Sequence, residues 1–164
     1  MLAAFAIRRT PWPAHGPDSA LLYAEDAGGN KLGHAAVEVC GIHCGQKSSL
    51  PEAVQRPLLS ALFVDPNHRR QGVAYDLMHA AETEAVGWGF EELVLNVQRS
   101  NEAAQGLYAK SGYTPDAEPV PSTGGSWWGR WWHEQGYVML RKPLDLNEAS
   151  SQGSDTEAST SKWS

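Results

Sequence analysis

Long apolar runs are missing from this 164-residue chain. None approaches the ~20 residues that a membrane-spanning helix needs, so no membrane partner is expected. Cysteine is scarce: Cys40 and Cys44 alone do not make a disulfide framework, and a reducing compartment is expected. Both stand in Cys40-Gly41-Ile42-His43-Cys44, but further ligands at finger-like spacing are lacking, so no metal site is expected. A basic excess is absent as well, the formal net charge being -6. Residues 145–164 contribute four acids (Asp145, Glu148, Asp155, Glu157) against Lys162, which leaves the body mildly acidic. Binding to a phosphate backbone wants a basic face, so nucleic acid is excluded as the main partner. The opening residues, up to Pro13, lack the apolar stretch and small-residue cleavage site of a secretory signal. Their Arg8 and Arg9, with no acid nearby, also suit the remnant of an organelle transit peptide.

What is present, 41% hydrophobic and 20% charged residues, describes a soluble globular chain with room for one well-formed core. The reading is a short segment at 1–19, a folded domain at 20–143, and an acidic, serine-rich tail at 144–164 too polar to order itself. The domain opens with a strand at 20–27, the turn signal Gly28-Gly29-Asn30 and a partner strand at 31–40, an antiparallel hairpin. Residues 41–57 read as a polar loop. An apolar run at 58–64 has the length of a buried strand, and Val73, Leu77, Ala81 and Ala85 then mark one face of a helix. Gly87 to Phe90 break that helix before a second apolar run, Leu93 to Val97. Asn101 as N-cap and Gly112 as stop bound a second helix, with Ala104, Leu107 and Tyr108 on one face. Residues 114–135 are irregular and hold Trp127, Trp128, Trp131 and Trp132; a last strand follows at 136–142. Strand–helix–strand–helix implies a parallel pair beside the antiparallel hairpin, hence an α/β fold on a mixed sheet.

The link between the first buried strand and its helix carries the chemistry. Arg69-Arg70-Gln71-Gly72-Val73-Ala74 is an arginine-bearing turn at a helix N-terminus, where unpaired backbone N–H groups and the helix dipole suit a phosphate. Gly72 lets the backbone approach its ligand, and the two arginines add positive charge.

With the second helix, these residues resemble the GCN5-related N-acetyltransferase family over roughly residues 20–143. The turn matches the family's Gln/Arg-x-x-Gly-x-Gly/Ala motif, and Asn101, Tyr108 and Gly112-Tyr113 match its second motif in the same order. The resemblance implies a mostly antiparallel mixed sheet whose parallel central strands splay to hold acetyl-CoA, with helices flanking it. It implies that amides from Arg70 to Tyr75 hold the pyrophosphate, with Arg69 beside them. The pantetheine arm would lie along Leu62, Phe63 and Val64, Asn101 would contact the cofactor, and Tyr108 would protonate the departing thiolate. The implied acceptor is a primary amine: a protein N-terminus, a lysine side chain, or a small amine such as a polyamine or arylalkylamine. A monomer or homodimer in the cytoplasm or a plastid stroma is implied, the latter from a likeness to plant and algal plastid members. The base that accepts the amine's proton has no evident carrier: the family's positions hold Ser60 and Asn96, which leaves His34 and Glu38 on the hairpin strand, or a water chain ordered by such groups. The family's strand and two helices ahead of the hairpin exceed the nineteen residues available here. Read without the resemblance, Asn101 is fully explained as a helix cap, Tyr108 as a core tyrosine and the tryptophans as packing. A catalytically silent CoA-binding module is the alternative from another class.

Overall fold

The computed structural model describes residues 4–12, 15–43, 45–116 and 136–145. In chain order it forms β1 (Phe5–Pro11), β2 (Ser19–Asp26), β3 (Lys31–His43), β4 (Gln46–Lys47), β5 (Val54–Val64), α1 (Val73–Gly87), β6 (Glu92–Gln98), α2 (Glu102–Lys110), β7 (Thr114–Pro115) and β8 (Tyr137–Pro143). The sheet runs β1-β2-β3-β5-β6-β8-β7, with β4 paired to β3 off that path. Among the described residues only β5 and β6 pair in parallel, the pairing that the strand–helix–strand order implied.

Three expectations are corrected. Residues 41–57 are not one polar loop. β3 runs on to His43 and β5 begins at Val54, pairing through Gly41↔Gln55 and Ile42↔Val54. The prolines and polar residues there masked the pairing, which is held from outside: Arg56 is buried in β5 and bonded to two acids brought from elsewhere in the chain. Next, β1 lies within the stretch read as a short leading segment and pairs with β2 from Phe5↔Asp26 to Pro11↔Ala20. Its half-exposed alternation is a weak signal, and only Phe5 and Ile7 reach the core. Finally, Thr114 and Pro115 are strand rather than irregular chain. The four clustered tryptophans and the tail from residue 146 lie outside the described residues.

Asp26 builds the β2–β3 turn. Its carboxylate accepts from the backbone N–H groups of Gly28 (2.8 Å) and Asn30 (2.9 Å) and from the Asn30 side chain (2.9 Å). Both helices share one face of the sheet: Val73, Leu77, Met78, Ala81 and Ala85 of α1 and Tyr108 of α2 join Leu22, Val37, Leu59, Leu93 and Leu95 in the main core. A smaller cluster, Cys40, Ile42, Leu58, Val94 and Met139, occupies the other face.

The feature that makes a site is a bulge in β5. Ser60 stands opposite Ala36 and Phe63 opposite His34, so Ala61 and Leu62 together face the single residue Ala35. Ala61 takes the left-handed conformation, φ 50°. A bulge bends its strand. β5 accordingly keeps only two rungs with β6, Leu58↔Val94 and Leu59↔Leu95, and its last five residues part from the neighbour while staying paired to β3. At Gly33 a Cβ would sit 2.6 Å from the Phe63 carbonyl oxygen, so glycine is what allows β3 to follow the bent strand so closely. The base of this fork is clamped. Arg56 Nε donates to Glu92 of β6 (2.7 Å) and its Nη1 to Asp116 (2.6 Å), all near the closed end.

Candidate functional site

The mouth of the fork opens into a cavity of about 880 Å³. One wall is Leu62, Phe63 and Val64 of β5; the floor is the turn into α1; the opposite wall is α2 from Asn101 to Lys110. Of the twelve positions singled out in the sequence, eleven line this one cavity: Leu62, Phe63, Val64, Arg69, Arg70, Gly72, Val73, Ala74, Tyr75, Asn101 and Tyr108. Gln71 does not line it, and its side chain reaches back to the Asn67 carbonyl (3.5 Å).

The turn is built locally. Asp65 caps a single 3-10 turn, Pro66–His68, by accepting from Asn67 N–H (2.8 Å). Arg70 (φ 62°) and Gly72 (φ 87°) then take left-handed conformations that swing the chain into α1. Gly72 is the N-cap of α1 and supplies no side-chain cap, so the first-turn amides of Val73, Ala74 and Tyr75 lack the acceptor that such positions usually have. A Cβ added at Gly72 would meet no atom within 4 Å; that space is open. Arg69 touches the Val64 carbonyl (3.3 Å), and neither Arg69 nor Arg70 has a carboxylate partner among the described residues. Uncapped amides and two guanidiniums with no carboxylate partner among the described residues could together hold an anion. Phe63 and Tyr75 stand at its rim with 47% and 54% of their surface exposed, apolar area that a bound ligand would cover.

Across the cavity, α2 is capped where α1 is not: Asn101 Oδ1 accepts from Ala104 N–H (3.1 Å). That oxygen is committed to the helix, which leaves Asn101 its amide nitrogen to offer a ligand. Tyr108 is 9% exposed and packs edge-on against Tyr113, ring centres 6.0 Å apart. Burial pushes its phenol above the ordinary value of 10.0, so it stays protonated through neutral pH. Tyr113 is itself pinned, its hydroxyl donating to Glu82 (3.1 Å), which also pairs with Lys142 (2.7 Å).

His68, Gly106 and Lys110, none of them singled out in the sequence, line the same cavity. Two of them carried a signal. A glycine inside a helix costs about 1 kcal/mol relative to alanine, which points to a need for open space, and Ala103, Gly106, Leu107 and Lys110 form one helical stripe.

The other face of the fork holds the residues considered as bases. Glu38 is buried; Lys47 Nζ (2.8 Å) and His15 Nδ1 (2.9 Å) both reach its Oε2. Burial pushes its carboxyl up, but these two partners together outweigh burial and hold it below the ordinary 4.5, which makes it a poor proton acceptor. His34 lies between Tyr23 and Phe63, ring centres 6.4 and 5.4 Å away.

Comparison with known proteins agrees with this geometry. The profile of the "Acetyltransferase (GNAT) family" matches residues 4–113. An uncharacterized N-acetyltransferase of Mycobacterium tuberculosis is 33% identical over 84 residues, 51% of this chain and 50% of that protein. The chloroplastic GCN5-related N-acetyltransferase 7 of Arabidopsis thaliana is 38% identical over 66 residues, 40% of this chain and 24% of that protein. The matches thus span half or less of these relatives' length. Among solved structures, Naa20 of Chaetomium thermophilum, determined with a bisubstrate analogue, superposes with a TM-score of 0.58 at 18% identity, over 87% of this chain and 88% of that one. That likeness is one of fold.

Proposed function

The chain belongs to the acetyltransferase (GNAT) family, and from that footing we propose that it moves the acetyl group of acetyl-CoA onto a primary amine. We read the acceptor as the α-amine of a protein N-terminus, or a lysine side chain. What carries the reading is the convergence, in one cavity at a forked parallel pair, of an uncapped amide turn, two arginines without a carboxylate partner among the described residues, and a buried, protonated tyrosine.

In this reading the amides and arginines of the turn bind the diphosphate of CoA, and Leu62 to Val64 offer backbone groups along the pantetheine arm. The amine must be neutral to attack, which an α-amine of pKa roughly 7.7–8 achieves more readily than a lysine at about 10.4. Its nitrogen bonds to the thioester carbon and the C–S bond breaks. The departing thiolate takes the proton of the Tyr108 hydroxyl, the proton released from nitrogen passes to solvent, and Tyr108 regains a proton from solvent before the next turnover. Electrons and atoms balance without any other reactant. A small amine acceptor is the runner-up. The expected setting is a reducing one, cytoplasm or plastid stroma, where the buried free thiol of Cys40 stays reduced, with the chain as a monomer or homodimer.

Calorimetry with acetyl-CoA, followed by turnover on peptides with a free N-terminus, N-terminally blocked lysine peptides and spermidine, tests all of this. No heat of binding removes the cofactor reading. Binding without turnover on any amine reduces the protein to a CoA-binding module. Preference for spermidine replaces the protein acceptor with a small one.

A further inference from the structure

The face of the sheet away from the helices carries a row of side chains that strand register lines up. Phe63 of β5 stands opposite His34 of β3, His34 opposite Tyr23 of β2, and Tyr23 opposite Arg8 of β1. Alternation puts the whole row on one face. Its neighbours in sequence, Ile7, Leu22, Ala24, Ala35, Leu62 and Val64, all pack under the helices instead. The rings follow one another at 5.4 Å (Phe63 to His34) and 6.4 Å (His34 to Tyr23) between centres. Phe63 is exposed, and His34 and Tyr23 are half-buried. The far end is cationic. Lys31 Nζ lies 4.0 Å from the centre of the Tyr23 ring, and the Arg8 side chain is 68% exposed, with Glu25 3.7 Å from its Nε.

Cross-strand ring pairs stabilise a sheet whether or not anything binds them. Pairing alone does not require that the row stay open, nor that it lead from the cavity to two cations. Both described helices pack on the opposite face, so the rings keep open surface. Phe63 also lines the cavity, so the row starts where the candidate site opens. Neighbouring strands lie about 4.8 Å apart, and the three spacings from β5 to β1 cover about 14 Å, the reach of about four residues of extended chain. Resting on the function proposed above, we infer that an acceptor peptide crosses the strands along this row. Its amine lies at the mouth of the fork beside Phe63, and an acidic residue about four positions in meets Lys31 and Arg8. The rings supply a sequence-tolerant apolar track, and the cations supply the choice. Glu25 offsets the charge of Arg8, whereas Lys31 has no carboxylate partner among the described residues, which leaves that end net positive. The acceptor class is therefore a protein N-terminus with early acidic residues.

The probes are a peptide with a free N-terminus and glutamates about four residues from it, the same peptide with lysines in their place, and spermidine, each with acetyl-CoA. The wild-type chain should favour the acidic peptide about tenfold in kcat/KM, as two exposed charge contacts would give, and the preference should shrink as salt is added. Arg8→Glu combined with Lys31→Glu should reverse the preference, with KM for acetyl-CoA unchanged. Tyr23→Leu, which removes the ring and keeps an apolar side chain, should raise KM severalfold for both peptides alike. Equal kcat/KM for the two peptides, or a preference that survives the charge reversal, overturns the inference. A Tyr23→Leu protein that melts lower yet keeps its peptide KM makes the row a packing feature and overturns it equally; if that variant does not fold, the charge reversal alone decides. Faster turnover of spermidine than of either peptide overturns the peptide track and leaves acetyl transfer standing. A wild-type protein that acetylates none of the three probes overturns the underlying function and the inference with it.

Discussion

Replacing Gly72 by alanine separates the fold from the site at a single carbon atom. Gly72 has φ 87°, a region that an L-residue enters at about 1–2 kcal/mol. The added Cβ meets no atom within 4 Å, so no clash adds to that strain. For a chain of this size each kcal/mol lowers the melting temperature by about 2–4 °C, and the Gly72→Ala protein should therefore melt only about 2–8 °C lower. The ligand side is different. A phosphate oxygen must come within about 2.9 Å of a backbone N–H, and the open space it would use is where the new methyl points. Losing one charge-assisted hydrogen bond is worth about 1.5–3 kcal/mol, so the Kd for acetyl-CoA should rise about 10- to 100-fold. Titration calorimetry at a temperature well below the melt reads the affinity, and a thermal melt reads the stability. An unchanged Kd would refute the anion cradle. A melting temperature lower by far more than the strain accounts for would show instead that Gly72 is needed for packing.

Other outcomes follow from the same geometry. Tyr108→Phe should lower kcat about 10²-fold or more with KM for acetyl-CoA unchanged, as expected for loss of a general acid, and steady-state kinetics with both substrates varied will tell. Because burial raises the Tyr108 phenol above 10.0, the wild-type rate should climb as the amine loses its proton and show no falling limb below pH 10; a fall between pH 8 and 9 would contradict that. Arg56→Met leaves Asp116 without its cation and Glu92 with only the longer pairing to Arg141 (3.7 Å), a loss of about 3–5 kcal/mol, read by chemical denaturation. A loss under about 1 kcal/mol would mean that the clamp is dispensable. Glu38 has its folded pKa below 4.5, so its stabilisation is fully present above that value and is lost as the pH falls through the lower, folded pKa. Melting temperatures measured from pH 7 down to pH 3 should therefore fall less steeply for Glu38→Gln than for the wild type.

The elements that were readable are those whose signal is local. The apolar runs that became β5 and β6, the four-residue period of α1, and the Asn101 cap and Gly112 stop of α2 each depend on neighbours within a few residues. The extension of β3 and β5 through residues 41–57 was not readable, since it depends on Arg56 meeting acids 36 and 60 residues away. β1 was hidden for a similar reason: its pairing is entirely with β2, and it adds only two side chains to the core.

By itself, then, the order of residues determined the stretch that carries the candidate site. A strand, an arginine- and glycine-bearing turn, a helix, a second strand and a capped helix ending in Tyr108 and Gly112 are contiguous features, and contiguous features survive in sequence. Only the tertiary structure decided the fork. The bulge at Ala61 is recognisable solely because two residues of β5 face one of β3, and the two rungs between β5 and β6 are the product of that misfit and of the Arg56 clamp below it. The row from Phe63 to Arg8 belongs to the same level. Whether a side chain on a strand is paired, packed or left open depends on what other strands bring to it, and those strands are joined to it through space rather than along the chain.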